Sequence, residues 1–182
     1  MIDLNDSIEN TVHTVLYILK QLGGQADLHK VFKIMYFADQ KHLLRFGSTI
    51  SSDTYIAMAN GPVPSITYDI LKALRGEGLL IDKKANFEPY FKLEKRSIVS
   101  GIMDPDLDWL SKSEIQVLNE AIYENKDLDF TSLTAKSHDL AWDKALSNGE
   151  MDIMNIAKAG GADDDMLRYI GFNIENSFSK LG

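Results

Sequence analysis

The stretch DPDLDW, from Asp104 to Trp109, alternates three aspartates in the spacing of the first half of an EF-hand calcium loop. The rest of that pattern is missing, because the sixth position needs glycine and is Trp109, and the twelfth needs glutamate and is Ile115. Pro105 also stiffens the segment. We therefore interpret the stretch as a solvated acidic connector in front of a helix and predict no metal there.

The histidines are the other side chains that suit metal or proton chemistry. They stand at positions 13, 29, 42 and 138, so neither the HxxxH nor the HxH spacing of a zinc site occurs. His138 directly precedes Asp139 at the predicted start of a helix, from which it could hydrogen-bond into a nearby site. For His138 a structural role is favoured over a catalytic one.

Motifs of catalysis and of nucleotide binding are missing as well. The chain has no cysteine, which excludes disulfides, thiolate metal sites, iron-sulfur clusters and cysteine nucleophiles. It contains neither GxSxG nor GxxxxGK[ST], and the pairs Gly76/Gly78 and Gly160/Gly161 lack the flanking pattern of a phosphate loop. We predict a protein that is not an enzyme and that needs no cofactor.

Length and composition indicate an ordinary globular chain. With 182 residues, 45% of them hydrophobic, the sequence predicts a single domain over residues 1–182. No run approaches the roughly 18 apolar residues of a membrane-spanning helix. The first ten residues, MIDLNDSIEN, carry acids where a signal peptide has basic residues, so we expect a cytoplasmic protein.

Charge divides the chain into two parts. Residues 1–96 hold 12 Lys and Arg against 11 acids, whereas residues 97–182 hold 7 against 16. The second part therefore offers an acidic face, and Asp104, Asp106 and Asp108 are its candidate partner-facing residues. Such a face would speed the encounter with a basic partner, although solubility alone also explains acidic surface.

The periodicity of apolar residues predicts a mainly α fold of the α+β type, with about six to seven helices and a small antiparallel sheet or hairpin. The helices are predicted over about 6–22, 27–45, 64–75, 111–123, from 129 or 131, 138–146 and 163–178. A short strand is predicted from Tyr55 to Ala59. In the second helix, VFKIMYFA is apolar on nearly all sides, which indicates burial.

The turn GPVP joins that strand to the third helix. Pro64 suits a helix start because its missing N–H is no loss there, while Pro62 forbids helix just before it. After this helix, GLLIDKK and EPYFKLEK are predicted to pair as a hairpin, with Leu79 and Ile81 facing Phe91 and Leu93. Residues 97–110 are expected to be irregular.

A helix beside a hairpin resembles a winged helix in outline, which leaves a DNA-binding regulator as an alternative. This region carries seven basic residues against five acids, a weak excess. Lys72 and Arg75 lie on the predicted exposed face of the helix and are candidate partner-facing residues. Because the excess is small and Asp69 shares that face, specific nucleic-acid binding is not expected.

Two separated segments resemble the SocA-like or Panacea domain family of bacterial and phage antitoxins. The first is residues 30–74, with KIMYFA and then GPVP and a tyrosine; the second is LTAKSHDLAWDKAL, residues 133–146. The matching positions, structural or interfacial in role, are Lys33, Tyr36, Phe37, Gly61, Pro62, Val63, Pro64, Tyr68, His138 and Trp142. The sequence departs from the family pattern at Asp39-Gln40-Lys41 and at Asp139-Leu140.

This resemblance covers residues 26–146, with helical extensions on both sides. It implies a mainly helical domain with a small sheet that binds and neutralises a toxin protein, in some cases by presenting it to a cellular protease. It implies no catalytic residue, cofactor or metal. The partner that the resemblance implies is therefore a cognate toxin protein, and no membrane is expected.

Overall fold

The structure is a computed structural model that describes residues 4–179, with side chains described from 5 to 176. Its helices are α1 (Leu4–Gln21), α2 (Leu28–Phe46), α3 (Ser65–Leu74), α4 (Lys84–Phe87), α5 (Lys112–Asn125), α6 (Phe130–Ser137), α7 (Leu140–Lys144), α8 (Ile153–Ala159) and α9 (Asp164–Ser179). The strands are β1 (Gln25–Asp27), β2 (Tyr55–Met58), β3 (Gly61–Pro64), β4 (Phe91–Glu94) and β5 (Ile98–Gly101). The ends of the predicted domain, residues 1–3 and 180–182, lie outside the described part.

The predicted fold class is confirmed: the protein is mainly α with small antiparallel sheets. One sheet has the strand order β1-β5-β4, and the other is the hairpin of β2 and β3. The described residues form more helices than predicted, because the short helix α4 replaces part of the predicted hairpin and α8 is an additional short helix. Helix α8 was not predicted at all.

Helix α2 is the centre of the molecule. One of its faces contributes Val31, Phe32 and Ile34 to a core shared with α1, α3 and α5. Another face contributes Tyr36 and Phe37 to a second core shared with β2, α6, α8 and α9. Because α2 is enclosed by both cores, its apolar residues surround the helix, as VFKIMYFA indicated.

The helix ends follow ordinary capping chemistry. Asp27 caps α2 through the amide of His29, and Gly47 ends α2 in the left-handed region at φ 74°. Ser111 and Glu114 form the predicted capping box at the start of α5. Helix α3 begins at Ser65, directly after Pro64.

The predicted hairpin of GLLIDKK with EPYFKLEK is wrong. Residues Ile81–Lys83 form a turn of 3-10 helix that leads into α4, and Leu79 is 86% exposed. Strand β4 pairs instead with β5, which lies in the segment expected to be irregular. The β-branched pair Ile98 and Val99 forms the better strand. The turn before it places Lys95 at φ 57°, without the glycine or asparagine that would have indicated a hairpin.

No helix among residues 4–179 is long and apolar enough to cross a membrane.

Candidate functional site

KIMYFA and GPVP, the two parts of the first motif segment, meet at Lys33. This side chain is only 1% exposed, and its Nζ donates a hydrogen bond to the carbonyl oxygen of Pro62 at 2.8 Å. Burial lowers the pKa of the Lys33 ammonium to about 7. Lys33 therefore fixes strand β3 to α2, and its ammonium group carries a weakly held proton.

Gly61, the first residue of β3, lies very close to Lys33 and Ser137. Its φ is +95°, and a β-carbon built there would lie 2.3 Å from Ser137 Oγ and 3.0 Å from Lys33 Nζ. Both the left-handed backbone and the contact exclude a side chain. Gly61 thus allows α2, the β2–β3 hairpin and α6 to meet.

Tyr36 and Asp139 join α2 to the start of α7. The hydroxyl of Tyr36 donates to Asp139 Oδ2 at 2.8 Å, and Gln40 Nε2 donates to the same oxygen at 3.0 Å. The other oxygen, Oδ1, accepts the amides of Ala141 and Trp142 and so caps α7. Burial, and then Asp139, raise the pKa of Tyr36. Gln40 and Asp139, where the sequence departs from the family pattern, are therefore hydrogen-bonded partners.

His138 and Trp142 form a stacked pair on the same junction. Their ring centroids are 3.7 Å apart and the planes differ by 7°. Trp142 Nε1 donates to the carbonyl oxygen of Met58 at 2.9 Å, which ties α7 to strand β2. His138 Nε2 is buried and has no hydrogen-bond partner.

The remaining motif positions fill the space around these contacts. Phe37 is buried beneath the ammonium of Lys136, which lies 4.5 Å from its ring centroid. Val63 and Pro64 are buried in β3, opposite Ile56 and Tyr55. Tyr68, on α3, contacts Phe32 edge to face at 6.1 Å. We name the ten motif positions together the motif cluster.

Two further buried carboxylates support the same region, and sequence reasoning missed both. Asp39 accepts the amides of Ile50 and Ser51 and the hydroxyls of Ser51 and Tyr55. Asp53 accepts the amides of Ile66 and Thr67 and caps α3 from a distant loop. Burial raises the pKa of Asp39, and it raises the pKa of Asp53 to about 6. An acid inside an apolar helix, as at Asp39, was the available signal.

Two polar side chains of the motif cluster are held by structural hydrogen bonds. Tyr36 is bonded to a helix cap and Lys33 to a backbone carbonyl. Within the described part of the chain, no group of three or more His, Asp or Glu side chains has a geometry that could hold a metal ion. What the arrangement does is lock three segments together.

The predicted partner-facing aspartates lie on an exposed surface, in contrast to the buried motif cluster. Asp104, Asp106 and Asp108 are exposed, and Asp104 forms an ion pair with Lys20 at 2.9 Å. Beside them Ile102, Met103 and Leu107 are 56%, 48% and 50% exposed. We name these six residues the connector patch.

A hollow lies beside the connector patch, and hydrogen bonds hold the backbone of the patch in place. The hollow, of about 420 Å³, is lined by Leu16, Lys20, Gly24, Gly101, Ile102, Met103 and Asp104. The amide of Asp106 donates to His13 Nδ1 at 3.1 Å, and Asp106 in turn accepts the amide of Asp108. The carbonyl of Trp109 accepts from Asn10 at 3.1 Å. These bonds hold the connector against α1.

Lys72 and Arg75, the other predicted partner-facing residues, are half-buried at the end of α3. Lys72 pairs with Asp69 at 2.6 Å and covers the ring of Tyr68. Arg75 donates to the carbonyl of Arg96 through Nη2, while its Nε is buried without a partner. The two residues therefore do not form a row of exposed bases with the predicted wing, which is absent.

A family model described as antitoxin SocA-like, Panacea domain, matches residues 31–143. This range contains all ten positions of the motif cluster, and it confirms the resemblance that the two sequence segments indicated. It also contains the connector patch, whereas α8 and α9 lie beyond it. No curated protein and no solved structure matches the chain.

Proposed function

Because this chain belongs to the SocA-like antitoxin family with a Panacea domain, we propose that it binds and neutralises a cognate toxin protein in the cytoplasm. An antitoxin-type role indicates action by binding rather than by catalysis. The observation that carries the proposal further is the connector patch, where exposed apolar side chains alternate with exposed acids.

This patch has the composition of a binding surface for a basic protein. Aspartates at the rim attract the partner and raise the association rate, while buried apolar side chains slow dissociation. Ile102, Met103 and Leu107 are the candidate anchors, and the hollow beside Met103 receives an apolar side chain of the toxin. A toxin that acts on RNA needs positive charge, which complements this surface.

The patch is also organised before binding. The hydrogen bond from the Asp106 amide requires His13 Nδ1 to be unprotonated, and burial lowers the pKa of His13 in agreement with this. A backbone already held in place loses less conformational entropy when a partner binds. We therefore place the toxin on the connector patch rather than on the motif cluster.

The first test is neutralisation. The protein encoded beside this chain's gene is expressed in a host cell, with and without this chain, and growth is measured. We expect growth arrest by the neighbour alone and rescue by co-expression. If the neighbour arrests growth and this chain neither rescues it nor binds the neighbour, the antitoxin proposal is wrong.

The second test locates the surface. Replacing Asp104, Asp106 and Asp108 together by Asn is expected to lower the association rate about threefold or more at low salt, with little change in dissociation. The matched control replaces Glu77, Asp82 and Glu88, three exposed acids outside the patch, by their amides. Equal rates for both variants across a salt series would remove the connector patch as the encounter surface.

Neutralisation by directed proteolysis is a further part of the proposal. If this chain presents the toxin to a cellular protease, the toxin's half-life in cells falls when this chain is present and recovers when the protease is removed. A half-life that this chain leaves unchanged, together with rescued growth, would assign neutralisation to binding alone.

A further inference from the structure

A cavity of about 570 Å³ opens between the first turn of α2 and the helix α3. It shares no lining residue with the hollow of the connector patch. The side chains that matter here belong to three basic residues and three aromatic residues, namely Lys33, Arg75, Arg96, Phe32, Tyr68 and Phe130. Its size suits a ligand of a few tens of atoms or fewer.

The charge of the cavity is positive. Lys33, Arg75 and Arg96 line it against one carboxylate, Asp27, which is already engaged as the cap of α2. Leu28 and His29 also line it, so the positive end of the α2 dipole adds to the same potential. The lining therefore favours an anion.

The lining of the cavity contains hydrogen-bond donors that have no acceptor. Arg75 Nε is buried and has no hydrogen-bond acceptor, a cost that a bound anion would remove. Lys33 has three N–H donors, and the bond to Pro62 engages one of them. Guanidinium groups such as those of Arg75 and Arg96 match the oxygens of a phosphate.

The aromatic residues form the rest of the lining. Phe32 and Tyr68 meet edge to face, and Phe130 stacks on His29 with centroids 4.0 Å apart. Phe130 lines the cavity and is 52% exposed, so part of its ring is accessible to a ligand. Rings in such a position stack with a flat ligand.

We propose that this cavity binds a small ligand in which a flat aromatic ring carries an anionic group, of the chemical class of a nucleoside monophosphate. The anion contacts Arg75, Arg96 and Lys33, and the ring lies among Tyr68, Phe32 and Phe130. This site is independent of the toxin surface, so it stands even if the connector patch binds nothing. The cavity borders Lys33 of the motif cluster, so occupancy also stabilises the β2–β3 turn.

The test is calorimetric titration of the full chain with AMP, with adenosine and with inorganic phosphate. We expect AMP to bind at least tenfold more tightly than either fragment, because only AMP offers both the ring and the anion. Binding should also take up protons near neutral pH, because an anion beside Lys33 favours its charged form. Proton uptake is read from the heats in buffers of different ionisation enthalpy.

Arg75→Gln locates the site, with Arg45→Gln as its control. Arg45 lies 16 residues along α2 from His29, about 24 Å away, and forms an exposed pair with Glu120. We expect Arg75→Gln to weaken AMP binding at least tenfold and Arg45→Gln to leave it unchanged. Thermal melting of both variants verifies that they fold.

Three results would overturn the proposal: no heat with AMP at millimolar concentration, equal binding by wild type and folded Arg75→Gln, or binding of phosphate as tight as that of AMP. Tight binding of a glutamate-rich peptide in place of AMP would assign the cavity to a protein segment instead.

Discussion

The buried aspartates of the motif region and the exposed aspartates of the connector patch show two uses of one side chain. Asp39, Asp53 and Asp139 each accept several hydrogen bonds from distant segments. Asp104, Asp106 and Asp108 lie in water, with one ion pair and one local cap between them. The first set holds the chain together, whereas the second is available to a partner.

This difference separates the residues that make the family recognisable from those that we expect to contact a partner. The motif cluster is recognisable because its backbone turn, lysine and caps depend on one another. A contact surface has no such mutual dependence, since each exposed side chain changes without loss of the fold. If this distinction holds, substitutions in the motif region lower stability strongly, and substitutions in the connector patch change it little.

The largest effect is expected for Asp39→Ala. The change leaves the amides of Ile50 and Ser51 and the hydroxyl of Tyr55 buried without their acceptor. We expect the free energy of unfolding to fall by about 4 to 5 kcal/mol, as measured by urea denaturation. Asp108→Ala in the connector patch is the control. An equal loss of stability in the two variants would contradict the distinction between structural and partner-facing aspartates.

The burial of Lys33 gives the stability of the motif region a dependence on pH. Burial lowers the pKa of Lys33 in the folded state to about 7, from 10.5 for an ordinary lysine, so between these pH values the folded state has released a proton that the unfolded state keeps. Between these values stability rises with pH, and the penalty of burying the charged form is greatest below about pH 7. The change in stability over this range is on the order of 5 kcal/mol.

Lys33→Met removes this titration while it keeps an unbranched side chain that is one atom shorter. We expect the stability difference between wild type and Lys33→Met to shift in favour of wild type as pH rises from about 7 to 10. Denaturation at several pH values measures it. A difference that stays constant over this range would show that Lys33 keeps an ordinary pKa in the folded protein.

Gly61→Ala separates close contact from backbone strain when it is compared with Gly76→Ala. Both glycines have positive φ, at +95° and +80°, but a β-carbon at Gly76 meets nothing within 4 Å. We expect a loss of about 3 kcal/mol at Gly61 and about 1 kcal/mol at Gly76. Thermal melts of the two variants measure the difference, and equal losses would leave strain as the whole effect.

The smallest effect is expected for the triple Asn variant of Asp104, Asp106 and Asp108. Only the exposed pair with Lys20 is lost, and asparagine still caps the turn that follows Asp106. We expect stability to change by less than about 0.5 kcal/mol, as measured by urea denaturation. A loss comparable to that of Gly61→Ala would assign the connector a structural role.

Much of the helical framework could be predicted from the sequence alone. The burial of VFKIMYFA, the capping box of Ser111 and Glu114, and the start of α3 directly after Pro64 all follow from local patterns. These are interactions between residues close in the chain, so composition and spacing suffice to indicate them. The turn predicted over GPVP is instead strand β3, which pairs with β2.

Local sequence patterns did not predict which strand pairs with β4, because two segments compete for that position. The residues of GLLIDKK have the composition of a strand, yet β4 pairs with β5 and Leu79 remains in water. Strand pairing is decided by which side chains the rest of the core can cover, and Val99 is fully buried there. That choice depends on distant residues and leaves no signal within a short window.

The candidate sites depended on tertiary structure in the same way. The sequence indicated that Lys33, Gly61, His138 and Trp142 belong to one pattern, but not that Lys33 bonds Pro62 or that Gln40 bonds Asp139, 99 residues away. Nor did the sequence indicate that Arg75 and Arg96 line the same cavity. Short-range propensity and capping act within a few residues, whereas burial and electrostatic environment are set by whatever the folded chain places nearby.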